Sequence, residues 1–213
     1  MNPENGTSYE VGFRGNILNA FSWDIAAYDF ELNETIVVQQ SNNSDYFINA
    51  GKTSQKGLEA LLSWSPALQP DQFLSSFRIW SSYTFNYYRF KDYAKNGQDY
   101  SGNKLTGVAP NIVVGGVDAR IANKFYANVT LNFVDKIPLN DANSQISGTY
   151  ILAGARVGFR SALPKKLSLD LFAGVDNATD KRYSLGYDLN AAGNRYYNAA
   201  ARRNFYAGVK ISF

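Results

Sequence analysis

The sequence predicts an all-β fold, an antiparallel segment of a transmembrane β-barrel, from three observations. Apolar and polar residues alternate with period two in about nine runs, the pattern of strands that have one apolar and one polar face. Several runs reach about 11 residues, the length that a tilted transmembrane strand needs, whereas strands of soluble proteins usually have about 5–6. Short and long connections also alternate along the chain, as they do at the two ends of a membrane barrel.

The alternation is clearest in the last run of the chain. Phe205, Ala207, Val209 and Ile211 are apolar, and the residues between them are mostly polar or glycine. The stretch from Trp23 to Phe30 alternates less regularly, which predicts a bulge there. The nine predicted strands span residues 7–18, 21–33, 48–65, 72–90, 108–120, 123–134, 147–161, 166–177 and 202–213.

The connections predict which end of the barrel faces which compartment, since periplasmic turns are short and extracellular loops long. Short connections fall near Leu18–Ala20, Ile121–Asn123 and Ala162–Lys165, with one of moderate length at Ser65–Asp71. Longer polar connections fall near Asn33–Phe47, Asp92–Gly107, Asp135–Ile146 and Thr179–Ala201. Nine strands cannot close an all-antiparallel barrel, which would need one parallel contact, a missed strand or more strands upstream. Strands upstream of this chain are the simplest of these, and we expect them.

Composition excludes several kinds of site. The chain has no cysteine and no histidine, so it holds neither a thiolate metal site nor a Ser-His-Asp catalytic triad. A net charge of +3 without a dense Lys/Arg cluster does not favour nucleic-acid binding. Asp176, Asn177 and Asp180 lack the glycine and the distal glutamate of a calcium loop. We therefore predict no metal site, no cofactor and no enzymatic activity.

Two further patterns bear on the membrane. No run of about 18 apolar residues is present to form a transmembrane helix, and the polar N-terminus is not a signal peptide, so we expect the export signal upstream. Aromatic residues make up 15% of the chain, which favours a sheet and interface girdles. The polar faces of the strands carry charges of both signs, which suit a wide lumen filled by water or a separate domain, whereas a narrow eight-stranded barrel would hold them as a buried ion-pair network. These residues are Glu10, Arg14, Asp24, Glu59, Arg78, Arg156, Arg160, Asp170, Asp176 and Lys210.

Five segments resemble, in the same order along the chain, motifs of TonB-dependent outer-membrane receptors. They are NPENGTSYEVGFRG (Asn2–Gly15), NAGKTSQKGLE (Asn49–Glu59), GNKLTGVAP (Gly102–Pro110), GVDNATDKRY (Gly174–Tyr183) and RNFYAGVKISF (Arg203–Phe213). In the second segment the matching residues are Asn49, Ala50, Gly51, Gly57, Leu58 and Glu59. Each match is weak by itself, but their shared order extends over nearly the whole chain.

The resemblance implies a 22-stranded barrel with an N-terminal plug domain, to which residues 1–213 would contribute the C-terminal part, the last nine strands. It implies active uptake of a scarce nutrient across the bacterial outer membrane. The family suggests a ferric siderophore or a similar metal complex, with cobalamin, a glycan or a peptide as alternatives. The implied partners are outer-membrane lipid, the missing N-terminal strands and plug, a TonB-type energy-coupling protein, the barrel-assembly machinery and a small-molecule ligand. The chain departs from the family pattern in lacking the plug and the energy-coupling box.

Two of the long connections carry the candidate ligand-binding residues. Arg and Tyr side chains together can hold an anionic ferric chelate or a polar glycan by charge-assisted hydrogen bonds and stacking. The alternative interpretation is a mobile polar loop with interface tyrosines. The candidates are Asp92, Tyr93, Asp99 and Tyr100 in one connection, and Arg182, Tyr183, Arg195, Tyr196 and Tyr197 in the other.

Other residues have a structural and a functional interpretation. The resemblance implies that Phe213 is the sorting signal for barrel assembly, whereas an aromatic at the end of a last strand is also an ordinary interface residue. Gly51, Gly57, Gly154, Gly158 and Gly174 are interpreted as relieving crowding in the barrel wall rather than as marking a ligand. Asn49 and Glu59 are interpreted as structural.

Three other functions remain open on the sequence. The first is a stand-alone small barrel that acts as a pore or adhesin, which requires a native start at residue 1. The second is an outer-membrane hydrolase, which the absence of histidine disfavours. The third is a soluble β-sandwich binder, which would need shorter strands than those predicted.

Overall fold

A computed structural model of the protein describes residues 1–41, 44–49, 51–69, 72–95, 97–164 and 167–213. Ala50 of the second family-like segment and the turn residues Asp71 and Lys165 lie outside these ranges. In the described parts of the chain, no helix is long and apolar enough to cross a membrane. Nine strands form the main sheet: β1 Asn5–Ile17, β2 Phe21–Asn33, β3 Lys52–Trp64, β4 Leu74–Asp92, β5 Asn111–Ile121, β6 Phe125–Val134, β7 Tyr150–Ala162, β8 Ser168–Asp176 and β9 Asn204–Ser212.

The nine strands lie in the sheet in chain order, and each is antiparallel to the next. Among the described residues, β1 pairs only with β2 and β9 only with β8, so the sheet is open at both sides. The predicted fold class and all nine predicted strands are confirmed. Three short hairpins in the long connections were not predicted: Ile36–Ser41 with Ser44–Asn49, Ala94–Lys95 with Gln98–Asp99, and Ser184–Tyr187 with Tyr197–Ala199.

Two of the short connections are two-residue turns that twist the strands as a hairpin requires. Leu18 and Asn19 have φ of 53°, and the Ala20 amide donates to the Ile17 carbonyl at 3.0 Å. Ala122 and Asn123 have φ of 48° and 56° at the corresponding places of the next such turn. Positive φ at both central residues defines the type I′ turn, whose twist matches that of the flanking strands.

The predicted bulge between Trp23 and Phe30 is wrong. Strand β2 pairs without a register shift with β1 along Phe21–Asn33 and with β3 along the same residues. The alternation breaks because the apolar side chains change face: Ile25 and Ala27 lie on one face, and Asp29 follows on that same face. The strand therefore stays regular while its outer environment changes from apolar to polar.

One face of the sheet is an apolar band. Residues on this face remain exposed although they are large and apolar, for example Val11 (72% exposed) and Phe205 (76% exposed). On β2, β3 and β4 the band ends at Ala27, Leu58 and Phe85, which are cross-strand neighbours. A row of exposed apolar side chains at one height is the outer surface that a membrane barrel presents to lipid.

The opposite, polar face carries cross-strand ion pairs. Arg14 contacts Asp24 at 2.7 Å between β1 and β2, and Arg160 contacts Asp170 at 2.7 Å between β7 and β8. Arg156 lies over the Phe172 ring, with its Cζ 3.8 Å from the ring centroid. Five residues of the predicted row of inward charges are thus engaged in cross-strand ion pairs or a cation–π contact.

Aromatic rings on the polar face lie over glycines of the adjacent strand. A Cβ added at Gly57 would lie 2.3 Å from the Tyr28 hydroxyl oxygen, and one at Gly158 would lie 2.3 Å from Tyr126 Cζ. The interpretation that these glycines relieve crowding is supported, since the missing side chain makes room for the ring. The directly paired ring and glycine residues are Tyr28 and Gly57, Trp80 and Gly116, Tyr126 and Gly158, Phe172 and Gly208, and Tyr206 and Gly174.

We expect Gly57→Ala to lower the free energy of unfolding by about 1–3 kcal/mol, because the new methyl group would overpack a filled site. Its Cβ would lie 2.8 Å from the Phe85 carbonyl oxygen, which is backbone, in addition to the Tyr28 ring. The measurement is the urea midpoint of the folded barrel. Gly148→Ala is the matched control, since no heavy atom lies within 4 Å of its Cβ. Equal midpoints for both variants would contradict the ring-over-glycine account.

Candidate ligand-binding loops

Three long loops pack together at the edge of the sheet opposite the two-residue turns. They connect β4 to β5 (residues 93–110), β6 to β7 (135–149) and β8 to β9 (177–203). Their shared apolar centre, here called the loop core, contains Leu139, which is fully buried. The loop core consists of Ala109, Val134, Ile137, Leu139 and Tyr196, with Ile112, Tyr150, Tyr187 and Ala191 packed against it.

Backbone hydrogen bonds join the three loops around this centre. The Gly107 amide donates to the Pro138 carbonyl at 2.9 Å, and the Asn190 amide donates to the Leu139 carbonyl at 2.9 Å. Each of these bonds crosses from one long loop to another. The middle loop, residues 135–149, therefore holds both of the others in place.

Asp141 is the polar centre of the same assembly and is buried. Its carboxylate accepts hydrogen bonds from the Tyr93 hydroxyl at 3.1 Å, Thr106 Oγ1 at 2.6 Å and Asn190 Nδ2 at 3.1 Å, and Lys95 Nζ lies 3.8 Å away. Burial and the neighbouring Asp141 carboxylate raise the pKa of the Tyr93 phenol well above its usual range. The phenol therefore stays a hydrogen-bond donor to Asp141 at neutral pH.

The structure separates the nine predicted ligand-binding residues by exposure. Tyr93 and Tyr196 are buried at 3% and 5% exposed, so their side chains hold the loops together. Tyr100 is half-buried, with its ring 5.8 Å from that of Tyr93, and Tyr183 is half-buried against Tyr150. The remaining five are exposed, Asp92 at the end of β4 and the other four in the loops: Asp99, Arg182, Arg195 and Tyr197.

The candidates form two groups. In the first loop the Tyr100 amide donates to the Tyr93 carbonyl at 2.8 Å, which closes a hairpin. Asp99 accepts a hydrogen bond from the Ser101 amide at 2.8 Å, and its pKa is lowered by the hydrogen bonds that Ser101 donates. In the last loop Tyr197 lies in a hairpin strand, its ring 5.7 Å from that of Tyr187. Exposed anionic and cationic groups thus sit on small hairpins above the loop core.

Sequence reasoning missed the residues that build this layer. Leu139 and Asp141 are buried but lie in a polar stretch without period-two alternation, so no pattern marked them, and nothing in the sequence marked the exposed Asn190 as their partner. Among the described residues, no three His, Cys, Asp or Glu side chains lie close enough to hold a metal ion.

The sequence profile described as "TonB dependent receptor-like, beta-barrel" matches residues 1–178. The chain belongs to this receptor family. Receptor barrels of the family are transporters rather than enzymes and lie in the outer membrane. The apolar band of this TonB-dependent receptor chain is therefore its lipid face, and the polar face is its lumen face.

Solved receptor structures have the same fold. The ferric citrate transporter FecA in its unliganded form matches with a TM-score of 0.77 and 20% identity over 99% of this chain and 32% of its own. BauA, the ferric preacinetobactin receptor from Acinetobacter baumannii, matches with a TM-score of 0.74 and 16% identity over 99% and 30%. The copper transporter OprC matches with a TM-score of 0.71 and 18% identity over 99% and 32%. The chain spans about a third of the length of these receptors.

The first two family-like segments of this receptor chain hold its N-terminus against the connection between β2 and β3. Asn49 Nδ2 donates to the Asn2 carbonyl at 2.9 Å and to the Glu34 carbonyl at 2.7 Å. Glu4 accepts a hydrogen bond from the Ile36 amide at 2.7 Å. Gly51 has a φ of 103°, and a Cβ there would lie 2.4 Å from the Asp92 carbonyl oxygen. The structural interpretation of Asn49 is thereby supported.

The segment after β8 fixes the base of the last long loop. The Asn177 side chain bonds both the amide and the carbonyl of Lys181, each at 2.8 Å. Both carboxylate oxygens of Asp180 accept from the Arg202 guanidinium, and Oδ1 also accepts from the Arg203 amide at 3.1 Å. The hydrogen bonds from Arg202 and then from Arg203 lower the pKa of Asp180 to about 2. Phe213, the predicted assembly signal, is fully exposed beyond the end of β9, and its role stays a prediction.

We expect Asp141→Ala to lower the free energy needed to open the three loops by about 1–3 kcal/mol, because Tyr93, Thr106 and Asn190 would each lose their buried hydrogen-bond acceptor. Hydrogen–deuterium exchange should become faster in residues 93–110 and 184–199 and stay unchanged in β1 and β2. Asp188→Ala is the control, since Asp188 is exposed and accepts from Asn198 at 3.2 Å. Unchanged exchange in the Asp141 variant would show that the loop core alone holds the layer.

We expect the base of the last loop to open under acid. A carboxyl whose folded pKa is lowered stabilises the fold above its unfolded pKa of about 3.9 and loses that contribution as pH falls. For Asp180 the loss ends near its folded pKa of about 2. Amide exchange at residues 178–182 should rise between these values, and Asp180→Asn should remove that step. A variant with the same acid response as the native protein would refute the assignment to Asp180.

Proposed function

We propose that this chain belongs to an outer-membrane receptor for the active uptake of a scarce nutrient, a ferric siderophore or a similar metal complex. In this proposal it supplies the last nine strands of a 22-stranded barrel, whose other strands and plug domain complete the wall and close the lumen. A TonB-type periplasmic protein supplies the energy through the plug. The ligand crosses when the plug is remodelled, and no bond in the ligand is made or broken.

The observation that carries the proposal is the packed layer of long loops. Exposed binding residues on free loops would lose much conformational entropy on binding, whereas residues on a preorganised layer lose less. The loop core and the Asp141 centre fix the loops that carry Asp99, Tyr100, Arg182, Arg195 and Tyr197, and Asp92 ends the adjoining strand β4. The layer therefore offers anchored side chains to a ligand from outside.

The side chains at this surface favour an anionic or polar ligand. Arg182 and Arg195 are exposed, and among the described residues neither makes an ion pair with a carboxylate. Guanidinium groups donate in a planar fork that matches carboxylate oxygens, and Tyr197 offers an exposed ring for stacking. Tyr183 lies at the start of the same hairpin and packs on Tyr150, so it supports this surface rather than extending from it.

The similar receptors support a metal complex as the ligand without fixing the metal. FecA is a ferric citrate transporter, BauA a ferric preacinetobactin receptor and OprC a copper transporter. All three are at most 20% identical to this chain. The binding test therefore uses ferric and cupric chelates side by side.

We expect Arg195→Ala combined with Tyr197→Ala to weaken binding of the cognate ferric chelate about tenfold or more, since a hydrogen bond to a charged group contributes about 1.5–3 kcal/mol. Fluorescence titration of the purified receptor measures the affinity, and growth on the chelate as sole iron source measures uptake. Lys181→Ala removes a cation from the same loop outside the hairpin and serves as the control. Unchanged affinity in the double variant would remove these residues from the binding site.

We expect the native protein, extracted from outer membranes, to have an intact mass about three times the 23.7 kDa of this chain, because the chain covers about 30% of the receptors it matches. A native mass near 23.7 kDa would instead favour the stand-alone pore or adhesin. Conductance in planar bilayers would then test that second function.

A further inference from the structure

A cleft opens on the lipid face of the sheet just beyond the extracellular end of the apolar band. On β3 and β4 the last apolar pair of the band is Leu58 and Phe85, and the next pair on that face is Lys56 and Tyr87. The cleft begins at this level and has a volume of about 250 Å³. It lies where lipid headgroups meet a barrel wall.

The cleft forms because the loop after β4 returns along the strand with a gap. The Leu105 amide donates to the Tyr88 carbonyl at 3.0 Å, and the Asn86 amide donates to the Pro110 carbonyl at 2.8 Å. Residues 106–109 lie between these two contacts. Leu105, Val108 and Pro110 line one side of the resulting cleft, and Phe85 and Tyr87 line the other.

Two cations lie beside this apolar cleft. Arg89 and Lys104 form an antiparallel bridge, so their side chains leave the wall on the same face. Arg89 Cζ lies 4.6 Å from the centroid of the Tyr87 ring, and Arg89 Nη1 donates to the Gly102 carbonyl at 2.7 Å. Lys104 is exposed, and its backbone is fixed by two hydrogen bonds with the Asn143 side chain at 2.8 and 2.9 Å.

These cations are not matched by carboxylates, unlike their neighbours. Lys56 pairs with Asp29 at 2.7 Å and Lys52 with Glu31 at 3.0 Å on the same face. Within the described residues, neither Arg89 nor Lys104 has a carboxylate oxygen within 4.0 Å, and the buried Nε of Arg89 has no hydrogen-bond partner.

One carboxylate, Asp135, is near enough to interact electrostatically with Lys104. Its pKa is lowered mainly by the hydrogen bond from Asn111 and only in the last place by Lys104. Asn111 Nδ2 and the Lys136 amide donate to its two oxygens at 2.9 and 2.7 Å. Asp135 is hydrogen-bonded on both oxygens and carries one negative charge against the two positive charges of Arg89 and Lys104, so the cleft keeps a net positive charge.

We propose that this cleft binds the phosphate group of an outer-leaflet lipid. Arg89 and Lys104 hold the phosphate, and Tyr87, Leu105 and Pro110 contact the adjoining apolar part of the same molecule. An amphiphile with an anionic head fits a site that has a lipid-facing apolar floor and cations at its water-facing rim. This lipid site is separate from the uptake proposed above, and neither depends on the other.

The test is the amount of phosphorylated lipid that the intact receptor retains after detergent exchange, measured by native mass spectrometry. Arg89→Gln combined with Lys104→Gln should lower the apparent lipid affinity about fivefold for each cation, since each cation near an anionic surface contributes about 1 kcal/mol. Lys56→Gln is the matched control, because its charge is on the same face but already paired with Asp29. It should retain lipid like the native receptor.

Three outcomes would overturn the proposal. The first is equal lipid retention in the double variant and the native receptor. The second is an equal loss of lipid in the Lys56 control. The third is displacement of the lipid by millimolar inorganic phosphate, which would indicate a site for free anions. Heat-modifiable migration on gels verifies that each barrel is folded. If the double variant does not fold, two single variants replace it. Lys104→Gln should lower the apparent lipid affinity about fivefold, since it removes one cation near the lipid surface. Arg89→Lys keeps the charge and should retain most of the lipid binding. Full retention by Lys104→Gln would then refute the site.

Discussion

The structure depends on one constraint: a strand surrounded by lipid must have each backbone amide and carbonyl paired with a neighbouring strand. Strands β2 to β8 satisfy this by running in chain order, each antiparallel to both of its neighbours, whereas among the described residues β1 and β9 pair on one side only. The two register shifts on β4 lie near its ends, at Lys52/Thr53 on its partner β3 and at Leu74/Ser76 on β4 itself. The irregular backbone on β4 is thus confined to places where water can replace a missing hydrogen-bond partner. The loops at the long-loop edge of the sheet are therefore free to differ in conformation from the regular wall.

That freedom explains why the extracellular layer has a core of its own. Loops that leave a regular wall have no sheet to pair with, so their polar backbone groups need other partners. The middle loop provides them through Pro138 and Leu139, whose carbonyls accept from the loops on either side. The buried apolar residues and the Asp141 centre stabilise the same three loops, so apolar and polar contacts act together in fixing the surface above them.

The sequence was sufficient for the wall because the wall has a simple physical pattern. Apolar and polar residues must alternate along a strand that lies between lipid and lumen. This alternation located all nine strands to within a few residues. The error at Trp23–Phe30 has the same origin. The apolar side chains change face where β2 leaves the lipid, between Ala27 and Asp29, and a change of environment imitates a change of backbone.

The candidate binding residues were harder to predict, since loops carry no periodic pattern. Tyr93 and Tyr197 look alike in the sequence, yet one is 3% and the other 61% exposed. Their difference arises from Asp141 and the loop core, which lie many residues away in the chain and meet only after folding. The sequence located the long connections in or beside which these residues lie, but not the burial of individual side chains within them.

The aromatic rings that rest on glycines have a consequence for chimeric receptors. Tyr126 fits its place because β7 carries Gly158, and Phe172 fits because β9 carries Gly208. A strand grafted from a relative would bring its own ring or its own glycine without the complement on the neighbouring strand. The smallest unit that can be exchanged between such barrels is therefore a strand together with the neighbouring strand that completes each ring and glycine pair. The positions of the turns alone do not show where such a unit begins and ends.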